Sequence, residues 1–82
     1  MRLSRDLTGK QLIKDLEQLG YRVTRQTGSH VRLSCEADGQ HHITVPLHDP
    51  LRVGTLAAIL ADVAAHHKLT RDDLALKLFG KN

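Results

Sequence analysis

The sequence predicts an α+β domain with its elements in the order α-β-β-β-α-α: a three-stranded antiparallel sheet with helices on one face. Three observations carry this. Apolar residues at helical spacing open the chain between a capping signature and a glycine. The period then switches to two over three successive short segments. Helical spacing returns after residue 49, in two further stretches.

The first helix is predicted over Thr8 to Leu19. Thr8 can cap it, Gln11 stands three residues on to close a capping box, and Leu7 can pack on Leu12 as a hydrophobic staple. Leu12, Ile13, Leu16 and Leu19 form the apolar stripe, and Gly20 offers a left-handed stop.

In the first strand Tyr21 and Val23 share one face, with Arg22, Thr24 and Gln26 on the other. In the second, Val31, Leu33 and Cys35 alternate with His30, Arg32, Ser34 and Glu36. In the third, Ile43 and Val45 alternate with His42 and Thr44 up to Pro46. Residues paired across a hairpin share a face, so the loop lengths are constrained. A two-residue Asp38-Gly39 turn would set Cys35 against His42 and mix the faces. A three-residue Ala37-Asp38-Gly39 loop pairs Arg32 with Thr44, Ser34 with His42, and His30 with the region of Pro46. The same rule predicts a three-residue Thr27-Gly28-Ser29 loop, with His30 opposite Gln26.

Asp49-Pro50 reads as a cap and first-turn proline of the second helix, which starts between Pro50 and Thr55 and buries Leu56, Ile59, Leu60 and Val63. The last helix opens on Thr70 to Asp73, with Leu69 and Leu74 as its staple, and ends at Gly80. The predicted core is Leu12, Leu16, Val23, Leu33, Val45, Leu56, Ile59 and Leu60. The helices cover the apolar sheet face and leave the polar face open.

Eighty-two residues make one domain, 1–82, with no repeat, linker or low-complexity tract. A chain of this size buries only about 60% of its unfolded surface, so a dimer or a bound partner is expected. Tyr21 and Phe79 are the only aromatics, which argues against a platform that stacks single-stranded bases. Twelve Lys and Arg against nine Asp and Glu give a net charge of +3, a balance suited to a phosphate-bearing partner. A lone Cys35 excludes a disulfide framework and falls on the apolar face as a small core residue. The absence of a long apolar run or signal-like start points to the cytoplasm, with no membrane.

His41-His42 and His66-His67 invite a metal reading. Strand neighbours point to opposite faces and helix neighbours diverge by about 100°, so neither pair chelates one ion, and no metal or other cofactor is expected. Gly54-Thr55 offers either phosphate-binding groups at a helix start or close helix packing through Gly54. Arg22 and Arg32 share the polar face, either as solvated surface charge or as phosphate binders. On its residue chemistry alone, His30 is an exposed histidine at a turn–strand junction.

Three ordered segments resemble the HicA (YcfA-like) toxin family. They are Gly9-Lys10-Gln11-Leu12-Ile13-Lys14-Asp15-Leu16 running into Leu19-Gly20-Tyr21, the turn Gly28-Ser29-His30, and Val45-Pro46-Leu47-His48 followed by Gly54-Thr55-Leu56. The resemblance spans roughly residues 8 to 75 and implies a fold like that of a double-stranded-RNA-binding domain. It implies an endoribonuclease toxin that cleaves mRNA and is held inactive by a HicB-type antitoxin, with His30 as the catalytic residue. Histidine can take or give a proton near neutral pH, and RNA carries its own nucleophile in the 2′-hydroxyl. Ser29 beside His30 does not make a hydrolase triad, because no third group is placed to orient the imidazole. Ser29, Arg22, Arg32 and His48 are candidates for substrate binding, His48 either assisting a leaving group or packing its loop. The rival readings are a non-catalytic RNA-binding module of the same fold and an interaction domain that acts only through a protein partner. A duplex binder calls for a basic cluster at a helix start, where Pro50 to Leu56 offers only Arg52.

Overall fold

The computed structural model describes residues 6–37 and 39–80. Its elements are α1 (Gly9–Glu17), β1 (Arg22–Thr27), β2 (His30–Cys35), β3 (His41–Pro46), α2 (Val53–His66) and α3 (Arg71–Phe79). The strands form one antiparallel sheet in the order β1-β2-β3. This is the expected α-β-β-β-α-α architecture, in the layout of a double-stranded-RNA-binding domain. Among the described residues no helix is long and apolar enough to cross a membrane.

The caps follow their side-chain chemistry. Thr8 Oγ1 accepts the Gln11 N–H at 3.1 Å while the Gln11 side chain accepts the Thr8 N–H at 2.9 Å, closing the capping box of α1. The helix stops at Glu17, short of Leu19, because residues 18–20 form a turn in which Gly20 takes φ +94°. Thr70 Oγ1 accepts the Asp73 N–H at 3.0 Å and starts α3. Between β3 and α2 the chain departs from expectation. Asp49-Pro50, joined by a cis peptide, precedes the helix, whose N-cap is Arg52 with no side-chain cap. The linking segment is instead stitched to the start of α1: the Gly9 N–H donates to the His48 carbonyl at 2.9 Å and the Leu51 N–H to the Leu7 carbonyl at 2.8 Å. Gly9 sits against the Pro46 carbonyl so closely that a Cβ would overlap it, which fixes α1 to the end of β3. Gly54, by contrast, is exposed with open space around it, so packing does not require a glycine there.

Pairing of β2 with β3 sets Arg32 against Thr44, Ser34 against His42 and His30 against Pro46, as the three-residue loop predicts; Asp38 in that loop lies outside the described residues. The first hairpin differs. Thr27 pairs with His30, leaving a two-residue Gly28-Ser29 turn in which only Gly28 has positive φ, +58°, as at the first central position of a type II′ turn. A β-bulge absorbs the parity change: Val23 pairs with Leu33 but Arg25 with Arg32, so Thr24 is the extra residue. Gln26 therefore lies opposite Val31, on the helix side of the sheet, and not opposite His30.

One core joins Leu12, Leu16, Tyr21, Leu33, Val45, Leu56, Ile59, Leu60 and Leu74, with Cys35 at 2% exposure and Leu51 added from the α2 approach. Val23 is the exception, 48% exposed. Both α1 and α2 pack on β3, so β1 forms the uncovered edge and every residue in it is exposed.

Candidate active site

The face of the sheet turned away from the helices is built by the alternation of β2. Val31, Leu33 and Cys35 are buried, and His30 and Arg32 are exposed between them. Cross-strand partners share a face, so the pairs Thr27–His30, Arg25–Arg32 and Arg32–Thr44 bring five side chains together. Arg25, Thr27, His30, Arg32 and Thr44 line one shallow open depression that contains no acidic residue.

The backbone around His30 is held from two sides. The Gln26 side-chain amide donates to the Gly28 carbonyl at 3.1 Å, and the Leu47 N–H donates to the Ser29 carbonyl at 2.7 Å. The His30 ring itself has no hydrogen-bond partner among the described residues. A fixed backbone carrying an uncommitted imidazole suits proton transfer to a ligand entering from solvent.

The structure brings Arg32 alongside His30 in the depression and leaves Arg22, Ser29 and His48 outside it. Arg22 pairs with Ser34, four residues along β2 from His30, or about 13 Å at 3.3 Å per residue. There Ser34 Oγ and His42 Nδ1 lie 2.6 Å apart, and the Thr24 hydroxyl donates to the Arg32 carbonyl at 3.3 Å. Ser29 is exposed in the turn beside His30, and His48 is exposed beyond β3; neither lines the depression. Unbroken alternation from Tyr21 to Gln26 puts residue 25 on the apolar face, so strand spacing alone hides Arg25 from the site. A cation on a core face without a partner is untenable, and that conflict was the available signal for a bulge.

A second cluster lies on the helix side, at the far end of β3. Tyr21, 1% exposed, places its hydroxyl 2.6 Å from His41 Nδ1 and 3.1 Å from His67 Nε2. His41 Nε2 is 3.2 Å from Asp62 Oδ1. With the histidines neutral the donor order is fixed, because a carboxylate only accepts. His67 donates to Tyr21, Tyr21 donates to His41, and His41 donates to Asp62. His66 stacks on His41 with ring centroids 4.3 Å apart, and its Nε2–H reaches the carbonyls of Ala37 and Gly39 at 3.0 Å each. Burial, then electrostatic repulsion from Cys35 and Asp62, pushes the Tyr21 phenol well above its ordinary range. The members of this network are too far apart in sequence for local spacing to reveal it. Among the described residues no set of three or more His, Cys, Asp or Glu could hold a metal ion.

Residues 9–64 match the model of a protein family described as "HicA toxin of bacterial toxin-antitoxin". No curated protein and no solved structure matches the chain.

Proposed function

The chain belongs to the HicA toxin family of bacterial toxin–antitoxin systems, and from that premise we propose that it is an endoribonuclease that cleaves mRNA through His30. The observation that carries this reading is the uncommitted His30 ring in an open depression lined by arginine and threonine and by no carboxylate. His30 takes the proton of the RNA 2′-hydroxyl, and the oxygen attacks the adjacent phosphorus. The bond from phosphorus to the 5′-oxygen breaks, leaving a 2′,3′-cyclic phosphate and, once that oxygen is protonated, a free 5′-hydroxyl. The substrate supplies its own nucleophile and His30 moves its proton, so the step requires no metal-bound hydroxide, and we read it as metal-independent.

Arg32 stabilises charge on the phosphate. Arg22 meets the strand further along the sheet, Ser29 contacts it at the turn, and His48 holds a phosphate or assists the leaving group. The toxin acts in the cytoplasm on mRNA. Its partner is a HicB-type antitoxin that covers the polar face and excludes RNA, with no conformational signal required. The test is to incubate purified protein with mRNA, with and without EDTA and with and without its antitoxin, and to identify the product ends. Cyclic-phosphate ends formed equally in EDTA, and slowed by the antitoxin, support the reading. Cleavage abolished by EDTA contradicts the metal-independent step, and a complex that cuts as fast as the free protein contradicts occlusion.

A further inference from the structure

Arg25 and Arg32 are cross-strand partners on the open face of the sheet, and neither guanidinium has a hydrogen-bond or ion-pair partner among the described residues. Directly opposed side chains in an antiparallel pair have Cβ atoms about 4.5–5.5 Å apart, and like charges there are destabilising. The fold gains nothing from this pair. It stands at the point where the bulge at Thr24 shifts the register, and without that bulge residue 25 would face the helices. The next cross-strand pair is Thr27–His30, and all four residues line the same depression with Thr44.

Two unpaired cations held side by side, with no carboxylate in the depression, form a site whose unfavourable charge is relieved by a bound anion. Guanidinium groups present forked donors that match the non-bridging oxygens of a phosphate. We infer that Arg25 and Arg32 together bind the RNA phosphodiester next to His30, and that the bulge exists to deliver Arg25 to it. This rests on the reading of His30 as the general acid/base and adds to it a phosphate clamp. Arg32 and Arg25 reach the scissile phosphate from two strands, while His30 takes the 2′-proton from the adjacent position. Charge growing on the non-bridging oxygens as the fifth bond forms is thereby met by two cations, not one.

The experiment compares Arg25→Gln, Arg25→Lys and His30→Ala with wild type. Steady-state cleavage of an RNA substrate and thermal melting are measured for all, and binding of uncleaved RNA across a salt series is measured for His30→Ala and for His30→Ala combined with Arg25→Gln. Loss of one transition-state donor typically costs about 10²–10³ in kcat, so Arg25→Gln should fall by at least about tenfold, with Arg25→Lys partly restored. Removing one phosphate contact should lower the salt slope by about one. Arg25→Gln should melt at the wild-type temperature or above it, since a like-charge pair has been relieved. A loss of cleavage that tracks a lowered melting temperature would make Arg25 structural and overturn the inference. So would wild-type kcat with an unchanged salt slope. If His30→Ala abolishes cleavage while Arg25→Gln leaves it intact, the clamp fails and the catalytic reading stands. If His30→Ala cleaves normally, that reading fails, and the salt series, repeated for wild type and Arg25→Gln on 2′-O-methyl RNA that lacks the free 2′-hydroxyl, still decides whether Arg25 meets phosphate.

Discussion

The two ends of the sheet use histidine in opposite ways. At the Gly28-Ser29 turn, His30 stands on a pinned backbone with its ring uncommitted, beside arginines and threonines. Around the buried Tyr21, three half-buried histidines are bonded or stacked into a network that ties β3 and the β2–β3 loop to the end of α2. The side chain is the same, and its unspent hydrogen-bonding capacity decides its role. A ring whose nitrogens are committed within the fold contributes stability, whereas a ring with none committed can exchange a proton with a ligand.

The largest expected effect is at His30. Positioned acid–base catalysis is worth about 10²–10⁴ in rate, so His30→Ala should lose cleavage on that order. Its melting temperature should hardly move, because exposed substitutions usually cost under about 0.5 kcal/mol. Tyr21→Phe should do the reverse. It removes the hydroxyl that both His41 and His67 use, and losing hydrogen bonds to these half-buried rings costs about 1 kcal/mol. Calorimetry should show a fall of several degrees, since about 1 kcal/mol shifts a domain of this size by about 4–8 °C. Cleavage per folded molecule should be unchanged, and a Tyr21→Phe protein that melts normally would remove the structural half of the contrast.

The same hydroxyl predicts an alkaline limit. Burial raises the Tyr21 phenol above its unfolded value of about 10, so above that pH the unfolded chain releases a proton that the folded one retains. Stability from this group is present in full below pH of about 10 and is lost as pH rises beyond it. Melting curves recorded upward from pH 9 should fall in wild type and flatten in Tyr21→Phe. The smallest effect is at His42, whose one described bond is to Ser34 on the exposed face. His42→Ala should change melting by no more than an ordinary surface substitution, and a large drop would place it with the structural histidines.

Much of the fold was legible because its signals are local. The capping box of α1, the Thr70 cap of α3, the α2 stripe and the β2–β3 register follow from spacing and face alternation within a few residues. The first hairpin had two solutions to one parity constraint: an odd loop, or an even loop with a bulge. Local spacing alone favours the odd loop, and only the cation at residue 25 argues against it. Val23 kept its face but not its burial, because α1 and α2 pack on β3, at the opposite edge of the sheet from β1. Asp49-Pro50 has the composition of a helix start, yet the chain there is bound to α1 by long-range backbone hydrogen bonds. His30 and Arg32 lie on one strand and could be read together. Arg25 could not, and neither could the histidine network, whose members meet only through tertiary packing.

The most direct measurement of the contrast sets His30→Ala beside His41→Ala, each assayed for RNA cleavage per folded molecule and for thermal melting. His30→Ala should lose cleavage by about 10²–10⁴ and keep its melting temperature. His41→Ala, which breaks bonds to both Tyr21 and Asp62, should lose stability and keep its cleavage rate at temperatures where it is folded. A folded His30→Ala that cleaves at the wild-type rate, or a stable His41→Ala that does not cleave, would contradict the account.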